Sequence, residues 1–281
     1  MKVNLKPLWD AQLEVYGAIE SICRAEGIRF WAGYGTVLGA VRHGGFIPWD
    51  DDIDLILPLA EFKRFQSVAP SLLPTYFKLV TPDNTPGFDF NYIKVSDTRH
   101  DVVDRIAKET GHPLSDGINI DIFPLVGIPR RTLGRALKAA MLRCVKNRRF
   151  VTERHTVASR VAGVGGVVLA PFFPRLKTIQ DFRSLASRLQ EEIPFDQAAF
   201  IGLFDWGLMD FKEAAPVACF RGERKIPFAG IEIPVPVETE TYLDWQYGDW
   251  KTPRQPPNQE YYHSWPTPQP WKYGPSSDQH S

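Results

Sequence analysis

The stretch "FIPWDDDIDLILP", from Phe46 to Pro58, places four aspartates among five residues at the start of an apolar run. Aspartate is a poor strand former, and four negative charges so close together repel one another. The run from Ile53 to Leu57 nevertheless predicts a buried strand. A cluster this unfavourable at the start of a buried strand indicates a chemical role for its carboxylates.

Two of the four aspartates are predicted to point at the same place. Residues two apart in a strand face the same way, so Asp52 and Asp54 project together. Hard cations such as Mg²⁺ take oxygen ligands and are usually held by one or two carboxylates together with substrate phosphates. A bound metal would turn the repulsion into coordination. Asp50 and Asp51 fall outside the alternation, and we expect them to shape the loop or to orient metal-bound water.

A later strand repeats this arrangement. In "INIDIFPL", from Ile118 to Leu125, apolar residues alternate with Asn119 and Asp121, so Asp121 is a lone acid in an otherwise apolar strand. If this strand lies beside the first, three carboxylates line one site, enough for one metal or for the two-metal clamp of phosphoryl transfer. The candidate catalytic and metal-binding residues are therefore Asp52, Asp54 and Asp121, with Mg²⁺ as the expected cofactor and Mn²⁺ as its alternative.

A glycine turn ahead of the aspartates is a second sign of phosphate chemistry. After the strand-like "IRFWAG", the segment "GTVLGAVRHGG" predicts a short helix closed by Gly44 and Gly45. The N-terminus of a helix presents backbone N–H groups and the positive end of the helix dipole, which favours phosphate. Gly35 would let a phosphate approach the backbone, and the Thr36 hydroxyl could donate to it.

The remaining patterns predict an α+β fold, a mixed sheet flanked by helices. An apolar stripe over residues 8–26 predicts a helix that ends at Gly27, and alternation predicts a further strand over Phe88–Asp97. We expect one domain over residues 1–265 and a flexible tail at 266–281. The domain would comprise a core at 1–125, a basic helical insertion at 130–195 and a C-terminal portion at 196–265.

The predicted insertion is strongly basic. Residues 130–177 carry twelve Lys or Arg against one acid, Glu153. The apolar patch "VAGVGGVVLAPFFP" within this segment is too short, and too rich in Gly and Pro, to span a bilayer. Such a charge run is typical of a solvated face, and the alternative is docking on anionic lipid or glycolipid.

Composition excludes several classes of protein. The chain of 281 residues has 33 Lys and Arg and 33 Asp and Glu, and no aromatic and basic platform is evident, so we expect no nucleic-acid partner. Three cysteines at wide spacing, without a CxxC pair, argue against a zinc or redox site and favour a reducing cytosol. Because the start of the sequence, "MKVNLKPLWDAQLEVYG", lacks the apolar core of a signal peptide and no stretch has the length of a membrane span, we expect a cytoplasmic protein with at most a peripheral contact on the inner membrane surface.

As whole strings, these motifs resemble the LicD/fukutin-related family in three blocks and in their order. The blocks are "GYGTVLGAVRHGGFIPWDDDIDLILP", "INIDIFPLVGIP" and "YLDWQYGDWKTPRQPP". The resemblance implies a nucleotidyltransferase fold. It also implies transfer of a phosphorylated small group, phosphocholine or a phospho-alditol, from a CDP-linked donor to a hydroxyl of a cell-surface glycan or glycolipid precursor.

Carried onto this chain, the resemblance implies metal binding at Asp52, Asp54 and Asp121 and donor phosphate at Gly35 and Thr36. Many members have "FPLD" where this chain has "FPLV", so no role passes to that position.

Four further residues are candidates for substrate binding, each with a structural alternative. Arg42 and His43 suit the negative end of a helix dipole and alternatively contact donor phosphate or acceptor. Lys94, in "FNYIKVSD", would be costly to bury without a partner, so a phosphate partner is expected. Asp249 lies in "YGDW", which is either a turn with aromatic residues packed on the core or a contact with the acceptor.

These observations together predict a Mg²⁺-dependent phosphotransferase, in which an acceptor hydroxyl attacks the phosphorus nearest the carried group and CMP leaves. Asp121 and Asp249 are candidates for the group that takes the hydroxyl proton. One alternative is a nucleotidyltransferase that joins NMP from an NTP to a small phosphate at the same metal site. The other is a non-catalytic scaffold that docks on membrane through residues 130–177, against which the intact acids argue.

Overall fold

The computed structural model describes residues 5–86, 88, 90–100, 117–128, 181, 184, 191, 193–205, 208–209 and 215–253. The basic segment at 130–177 and the tail at 266–281 lie outside these residues. The helices are α1 (Lys6–Glu26), α2 (Tyr34–His43), α3 (Leu59–Leu72) and α4 (Thr239–Tyr247) within the described ranges. The strands there are β1 (Trp31–Ala32), β2 (Asp54–Pro58), β3 (Phe77–Val80), β4 (Ile93–Asp97), β5 (Ile118–Ile128), β6 (Phe200–Asp205), β7 (Leu208–Met209), β8 (Ala215–Pro216), β9 (Glu223–Phe228) and β10 (Ile231–Pro236). The predicted α+β class is confirmed.

The chain divides into two compact units. The first comprises Met1–Pro124 and Cys219–Ser281, and the second comprises Leu125–Ala218. In the first unit the sheet has the order β1-β2-β5-β4-β3. Strand β4 pairs antiparallel with both β3 and β5. In the second unit, the end of β5 pairs antiparallel with β6, which also pairs with β7 and β8.

Helices α1 and α2 end as the sequence predicts. Gly27 follows α1 with φ of 62°, and Gly44 follows α2 with φ of 63°, both in the left-handed region that glycine adopts without steric cost. The buried stripe of α1 includes Leu8, Val15 and Ile19, each at most 2% exposed. Burial of apolar surface stabilises a fold by about 25 cal/mol per Å² removed from water. The buried stripe therefore holds α1 on the protein core.

The predicted strand over Phe88–Asp97 is shorter than expected. Only Ile93–Asp97 forms strand β4, and Phe88 is instead fully buried against Phe90 and Tyr92, with ring centroids 5.2 and 5.4 Å away. The aromatic residues before Ile93 pack ring against ring instead of pairing with a neighbouring strand. An alternating aromatic sequence is compatible with either arrangement, so the pattern alone does not distinguish them.

The C-terminal part of the first unit is a hairpin followed by a helix. Strands β9 and β10 pair antiparallel across a turn at Ala229 and Gly230, both with positive φ. Strand β10 leads into α4, in which Tyr242 and Leu243 are buried. No helix within the described ranges is both long and apolar enough to cross a membrane.

Candidate active site

The two acid-bearing strands are neighbours in the sheet. Strands β2 and β5 lie side by side, and the Asp121 N–H donates to the Ile53 carbonyl at 3.1 Å. This is the adjacency on which a three-carboxylate site depends. Strand β2 begins at Asp54, so Asp52 belongs to the preceding turn instead of to the strand itself.

The turn before β2 gathers its carboxylates tightly. One carboxylate oxygen from each of Asp50, Asp51 and Asp52 lies within 4.8 Å of the other two, the only such group of three potential metal ligands among the described residues. Asp51 is 6% exposed, whereas Asp50 and Asp52 are partly exposed. Asp50 and Asp51 therefore lie beside Asp52, where the sequence had suggested only an indirect role for them.

Helix α1 holds the backbone of this acidic turn. The Trp9 indole N–H donates to the Asp50 carbonyl at 2.9 Å, and the Gln12 amide donates to the Asp51 carbonyl at the same distance. The Gln12 amide also lies 3.3 Å from the Asn119 carbonyl of β5. Gln12 is 2% exposed, so these bonds form away from water, where they fix geometry most firmly. Neither Trp9 nor Gln12 was singled out from the sequence, because their spacing marks only the helix face.

The start of α2 fits against the same turn. A Cβ on Gly35 would lie 2.5 Å from the Asp50 Oδ2, so glycine makes room for that carboxylate. The buried Thr36 hydroxyl accepts a hydrogen bond of 2.8 Å from the Asp54 N–H. The two residues assigned to donor phosphate thus also shape the acidic turn.

Lys94 and Asp121 form an ion pair across strands β4 and β5. Their Nζ and Oδ1 atoms are 2.5 Å apart, and the side chains are 7% and 5% exposed. The ammonium also donates to the Asn119 Oδ1 at 3.1 Å. The buried lysine, for which a phosphate partner was expected, therefore has carboxylate and amide partners within the protein.

The carboxylates act on one another electrostatically. The pKa of Asp54 is raised well above its ordinary value, first by burial and then by the negative charges of its neighbours. Those neighbours are, in order of effect, Asp52, Asp121 and Asp50, while the Lys94 charge acts in the opposite direction. Asp54 thus lies within the field of Asp50, Asp52 and Asp121.

The other end of α2 contacts different groups. Arg42 lies six residues after Thr36, about 9 Å further along the helix axis. Its guanidinium donates to the Trp250 carbonyl at 3.1 Å and to the His43 Nε2 at 3.2 Å. The pKa of His43 is lowered, first by partial desolvation and then by the Arg42 charge, which agrees with a neutral ring that accepts.

Two residues of the "YGDW" segment differ in their surroundings. Asp249 is exposed and accepts a hydrogen bond of 3.3 Å from the Thr252 hydroxyl. Tyr247 is also 38% exposed, and its pKa is raised, first by desolvation of the part of the side chain that packs on the protein and then by Tyr242, Asp54, Asp50 and Asp52. Tyr247 therefore lies within the electrostatic field of the acids, which the sequence did not reveal because a helix-terminal tyrosine is typical of core packing.

The donor set suits a hard divalent cation. Side-chain oxygens are the only potential ligands that the acidic residues of the turn, β2 and β5 offer, and Mg²⁺ and Mn²⁺ prefer such ligands. The mutual repulsion that raises the pKa of Asp54 is relieved when a cation is bound. Asp50, Asp51, Asp52, Asp54 and Asp121 are the residues that fit this role.

The sequence segments that form this site also match known proteins. Residues 27–126, which contain α2, the acidic turn and most of β5, match the family model described as the LicD/FKTN/FKRP nucleotidyltransferase domain. The lipopolysaccharide cholinephosphotransferase LicD of Haemophilus influenzae is 26% identical over 270 residues, which cover 92% of this chain and 95% of that protein. The human ribitol 5-phosphate transferase FKRP is 45% identical over 51 residues, 18% of this chain and 10% of that protein.

The family model covers the acid-bearing strands and the glycine turn that the structure brings together, and the similarity to the bacterial protein extends over nearly the whole of both chains. The sequence motifs and both comparisons agree that residues 27–126 of this chain carry the nucleotidyltransferase domain of the LicD/fukutin-related family.

Proposed function

We propose that this protein is a Mg²⁺-dependent transferase that moves a phosphorylated small group from a CDP-linked donor to a hydroxyl of a cell-surface glycan or glycolipid precursor. The observation that carries the proposal is the meeting of the acidic turn with Asp54 and Asp121 on adjacent strands, beside the buried Lys94. A partly buried cluster of like charges lowers the stability of the fold unless a bound cation neutralises the repulsion.

The relatives support a phosphotransferase. The bacterial relative is named as a cholinephosphotransferase and the human relative as a ribitol 5-phosphate transferase. Both names describe the transfer of a small group that carries its phosphate with it. The CDP-linked donor and the glycan acceptor come from the family resemblance of the three sequence blocks.

The chain's own residues account for binding and orientation. Asp50, Asp51, Asp52, Asp54 and Asp121 would hold the metal, which supplies charge neutralisation at the donor phosphates. The N-terminus of α2 directs its positive dipole end toward the acidic turn and suits an anionic phosphate. Lys94 fixes the position of Asp121 through their ion pair.

The proposed step is an in-line displacement at phosphorus. The acceptor hydroxyl oxygen forms a bond to the phosphorus that carries the small group, and the bond from that phosphorus to the bridging oxygen breaks, so CMP leaves with the bridging oxygen. The hydroxyl proton passes to a carboxylate, for which Asp121 and Asp249 remain the candidates. Catalysis of this kind depends mainly on positioning and charge stabilisation.

Product analysis tests this function directly. The full chain is incubated with Mg²⁺, a sugar acceptor and each of CDP-choline, CDP-ribitol and the four NTPs, and the release of CMP or pyrophosphate is measured. We expect CMP from at least one CDP-linked donor, and loss of this product in Asp54→Asn but not in Asp83→Asn, a change at an exposed aspartate. Pyrophosphate from an NTP, without CMP from either CDP compound, would favour the nucleotidyltransferase alternative.

A membrane contact is a further part of the proposal. Of the twelve Lys and Arg of residues 130–177, only some can face one plane, and anionic lipid would attract each of those by about 1 kcal/mol before screening. We expect salt-sensitive binding to anionic vesicles and none to neutral ones, weakened when Arg143, Lys146, Arg148 and Arg149 are replaced by Gln. Binding that ignores salt and lipid charge would contradict this contact.

A further inference from the structure

Helix α1 contributes two hydrogen-bond donors to the acidic turn. Trp9 and Gln12 lie three residues apart, so they share one face of the helix. Their indole and amide N–H groups donate to two consecutive carbonyls, those of Asp50 and Asp51, each at 2.9 Å. We call Trp9 and Gln12 the α1 clamp. The residues matched by the family model begin at 27, after α1 has ended, so that match assigns the clamp no part in the site.

The clamped carbonyls determine where the three carboxylates of the turn can lie. The Asp50 carbonyl belongs to the planar peptide unit that joins the Cα atoms of Asp50 and Asp51, and the Asp51 carbonyl belongs to the unit that joins Asp51 and Asp52. Two donors that fix the direction of these carbonyls therefore fix both peptide planes. The Cα positions from which the three carboxylates extend are then fixed without any bond to a carboxylate oxygen.

Neutral donors suit this position. One oxygen from each of the three carboxylates lies within 4.8 Å of the other two, so their repulsion tends to open the turn unless its backbone is held. A Lys or Arg side chain could hold the turn, but its charge would pair with the carboxylates and compete with a bound cation. An indole and an amide carry no charge, so they hold the backbone and leave the negative charge of the carboxylates to the cation.

Gln12 also ties the acidic turn to strand β5. Its amide lies 3.3 Å from the carbonyl of Asn119, two residues before Asp121 in the strand. The Asn119 side chain in turn accepts a hydrogen bond of 3.1 Å from Lys94, the ion-pair partner of Asp121. One buried amide thus joins the two parts of the chain that supply the carboxylates of the site.

Packing fixes the Trp9 end of the clamp. The Trp9 ring stacks on Phe46, with centroids 4.9 Å apart and planes at 7°, and Phe46 packs in turn on Phe228 at 4.8 Å. Trp9 also packs against a buried apolar cluster, which comprises Leu5, Leu8, Ala11 and Ile118. A donor whose own side chain is locked by packing holds its acceptor more precisely than a mobile one does.

The Gln12 end of the clamp includes a polar atom that weakens the fold. The Gln12 side chain is 2% exposed, and its Oε1 atom has no hydrogen-bond partner among the described residues. A buried acceptor without a donor is destabilising. An apolar side chain of the same length would remove this acceptor but would leave both carbonyls without the Gln12 donor. These two effects on stability oppose each other, so the geometry of the turn is the property that an apolar replacement changes most.

From these contacts we infer that Trp9 and Gln12 are positioning residues for the proposed reaction, which hold the acidic turn in its metal-binding form before the cation arrives. The inference rests on the proposed function and adds to it a role for helix α1. Both residues act through the carbonyls of Asp50 and Asp51. Because the turn is already ordered in the unbound protein, binding of the cation does not have to order it, and the affinity is higher. Loss of the clamp should therefore lower metal affinity more than it lowers stability.

Direct binding of Mn²⁺ tests the inference without turnover. The electron paramagnetic resonance signal of free aqueous Mn²⁺ is lost when the ion binds, so a titration of the full chain gives the dissociation constant. Gln12→Met keeps the length of the side chain without its donor, and Trp9→Phe keeps a ring on Phe46 without the indole N–H. We expect each variant to raise the dissociation constant about tenfold, as when groups that orient metal ligands are removed. The Mg²⁺ concentration for half-maximal CMP release should rise in parallel, whereas kcat at saturating Mg²⁺ should change less.

Two variants of the same helix serve as controls. Tyr16→Phe removes a buried hydroxyl, one turn after Gln12, that has no hydrogen-bond partner among the described residues. Ile19→Val shortens a fully buried side chain and should lower the melting temperature by about 2–4 °C. Both controls should bind Mn²⁺ as the wild type does. Thermal melts in EDTA compare the stabilities, and binding is measured at a temperature at which every variant is folded.

Each alternative outcome has a distinct meaning. Wild-type Mn²⁺ affinity in the clamp variants would overturn the inference and leave the proposed function intact. A loss of affinity that follows the melting temperature through all four variants, including Ile19→Val, would also overturn it, because the clamp would then act only on stability. If one clamp variant fails to fold, the other carries the comparison. A wild-type protein that binds Mn²⁺ no better than Asp54→Asn would contradict the metal site of the proposed function, and the inference with it.

Discussion

The Lys94 ammonium lies 2.5 Å from the Asp121 carboxylate across two antiparallel strands, and both side chains are almost completely buried. Removing one partner of a buried pair leaves an uncompensated charge and costs about 3–5 kcal/mol, whereas replacing both by apolar groups is often nearly neutral. We therefore expect Lys94→Met and Asp121→Leu each to lower the free energy of unfolding strongly, and the double variant to recover most of it. Urea unfolding at neutral pH measures all three.

Measuring CMP release by these variants separates the contribution of the Lys94–Asp121 pair to stability from its contribution to function. The double variant should fold well and yet release no CMP, because Asp121 is assigned to the metal site. Recovery of turnover together with stability would show that Asp121 serves only as the partner of Lys94.

The raised pKa of Asp54 predicts a pH-dependent stability difference. In the unfolded chain this carboxyl titrates near its ordinary value of about 3.9, and in the folded protein at higher pH. Between the two values the folded state binds the extra proton, so stability falls as the pH rises through this window. Asp54→Asn has no such proton. In EDTA, its advantage in unfolding free energy over the wild type should therefore grow from about pH 4 upward until the folded pKa is passed.

Addition of Mg²⁺ should reverse this order. A ligand that binds only the folded state stabilises it, so the wild type should gain more from Mg²⁺ than Asp54→Asn at neutral pH. Thermal melts at a series of Mg²⁺ concentrations measure the gain. Equal stabilisation of both proteins would remove Asp54 from the metal site.

Two helical glycines provide a matched pair of substitutions. Gly17→Ala places its Cβ in open space within α1, and should stabilise the protein by about 0.5–1 kcal/mol without changing turnover. Gly35→Ala places its Cβ 2.5 Å from the Asp50 Oδ2 and displaces that carboxylate. Because the carboxylate is the end of a rotatable side chain, we expect little loss of stability, and a clear rise in the Mg²⁺ concentration that gives half-maximal turnover. An unchanged Mg²⁺ requirement would show that Asp50 is not needed where it lies.

Thr36 offers a test of the link between α2 and β2. Thr36→Val removes the buried hydroxyl that accepts from the Asp54 N–H, and a buried N–H left without an acceptor costs about 1–3 kcal/mol. Thr36→Ser keeps the hydroxyl and should retain both stability and turnover. If Thr36→Val lowers turnover without lowering the free energy of unfolding, the hydroxyl acts on the substrate instead of on Asp54.

Some features of this protein follow from local sequence. Helices α1 and α2 end where Gly27 and Gly44 allow a left-handed residue, and β2 and β5 follow from runs of buried apolar residues. These elements depend on the chemistry of a few consecutive residues, so their patterns predict them. The strand over Phe88–Asp97 was predicted too long, because alternation of aromatic residues indicates ring packing as readily as it indicates a ladder.

The arrangement of the site needed contacts between residues far apart in the chain. Sequence alternation placed Asp54 and Asp121 on strand faces, but the position of β2 next to β5 depends on long-range pairing that local patterns do not encode. The hydrogen bond from the Gln12 amide to the Asp51 carbonyl is another such long-range contact. The effect of the acids on Tyr247 is a further example, because it depends on how α4 packs.

By itself, the sequence determined which side chains could do the chemistry. It supplied a set of carboxylate oxygens that is preceded by a glycine turn and followed by a strand. The tertiary structure decided which of them meet. It joined Lys94 to Asp121 and set Asp50 against Gly35. The physical reason is that side-chain chemistry is local, whereas the distance between charges depends on the strand order and register of the whole sheet.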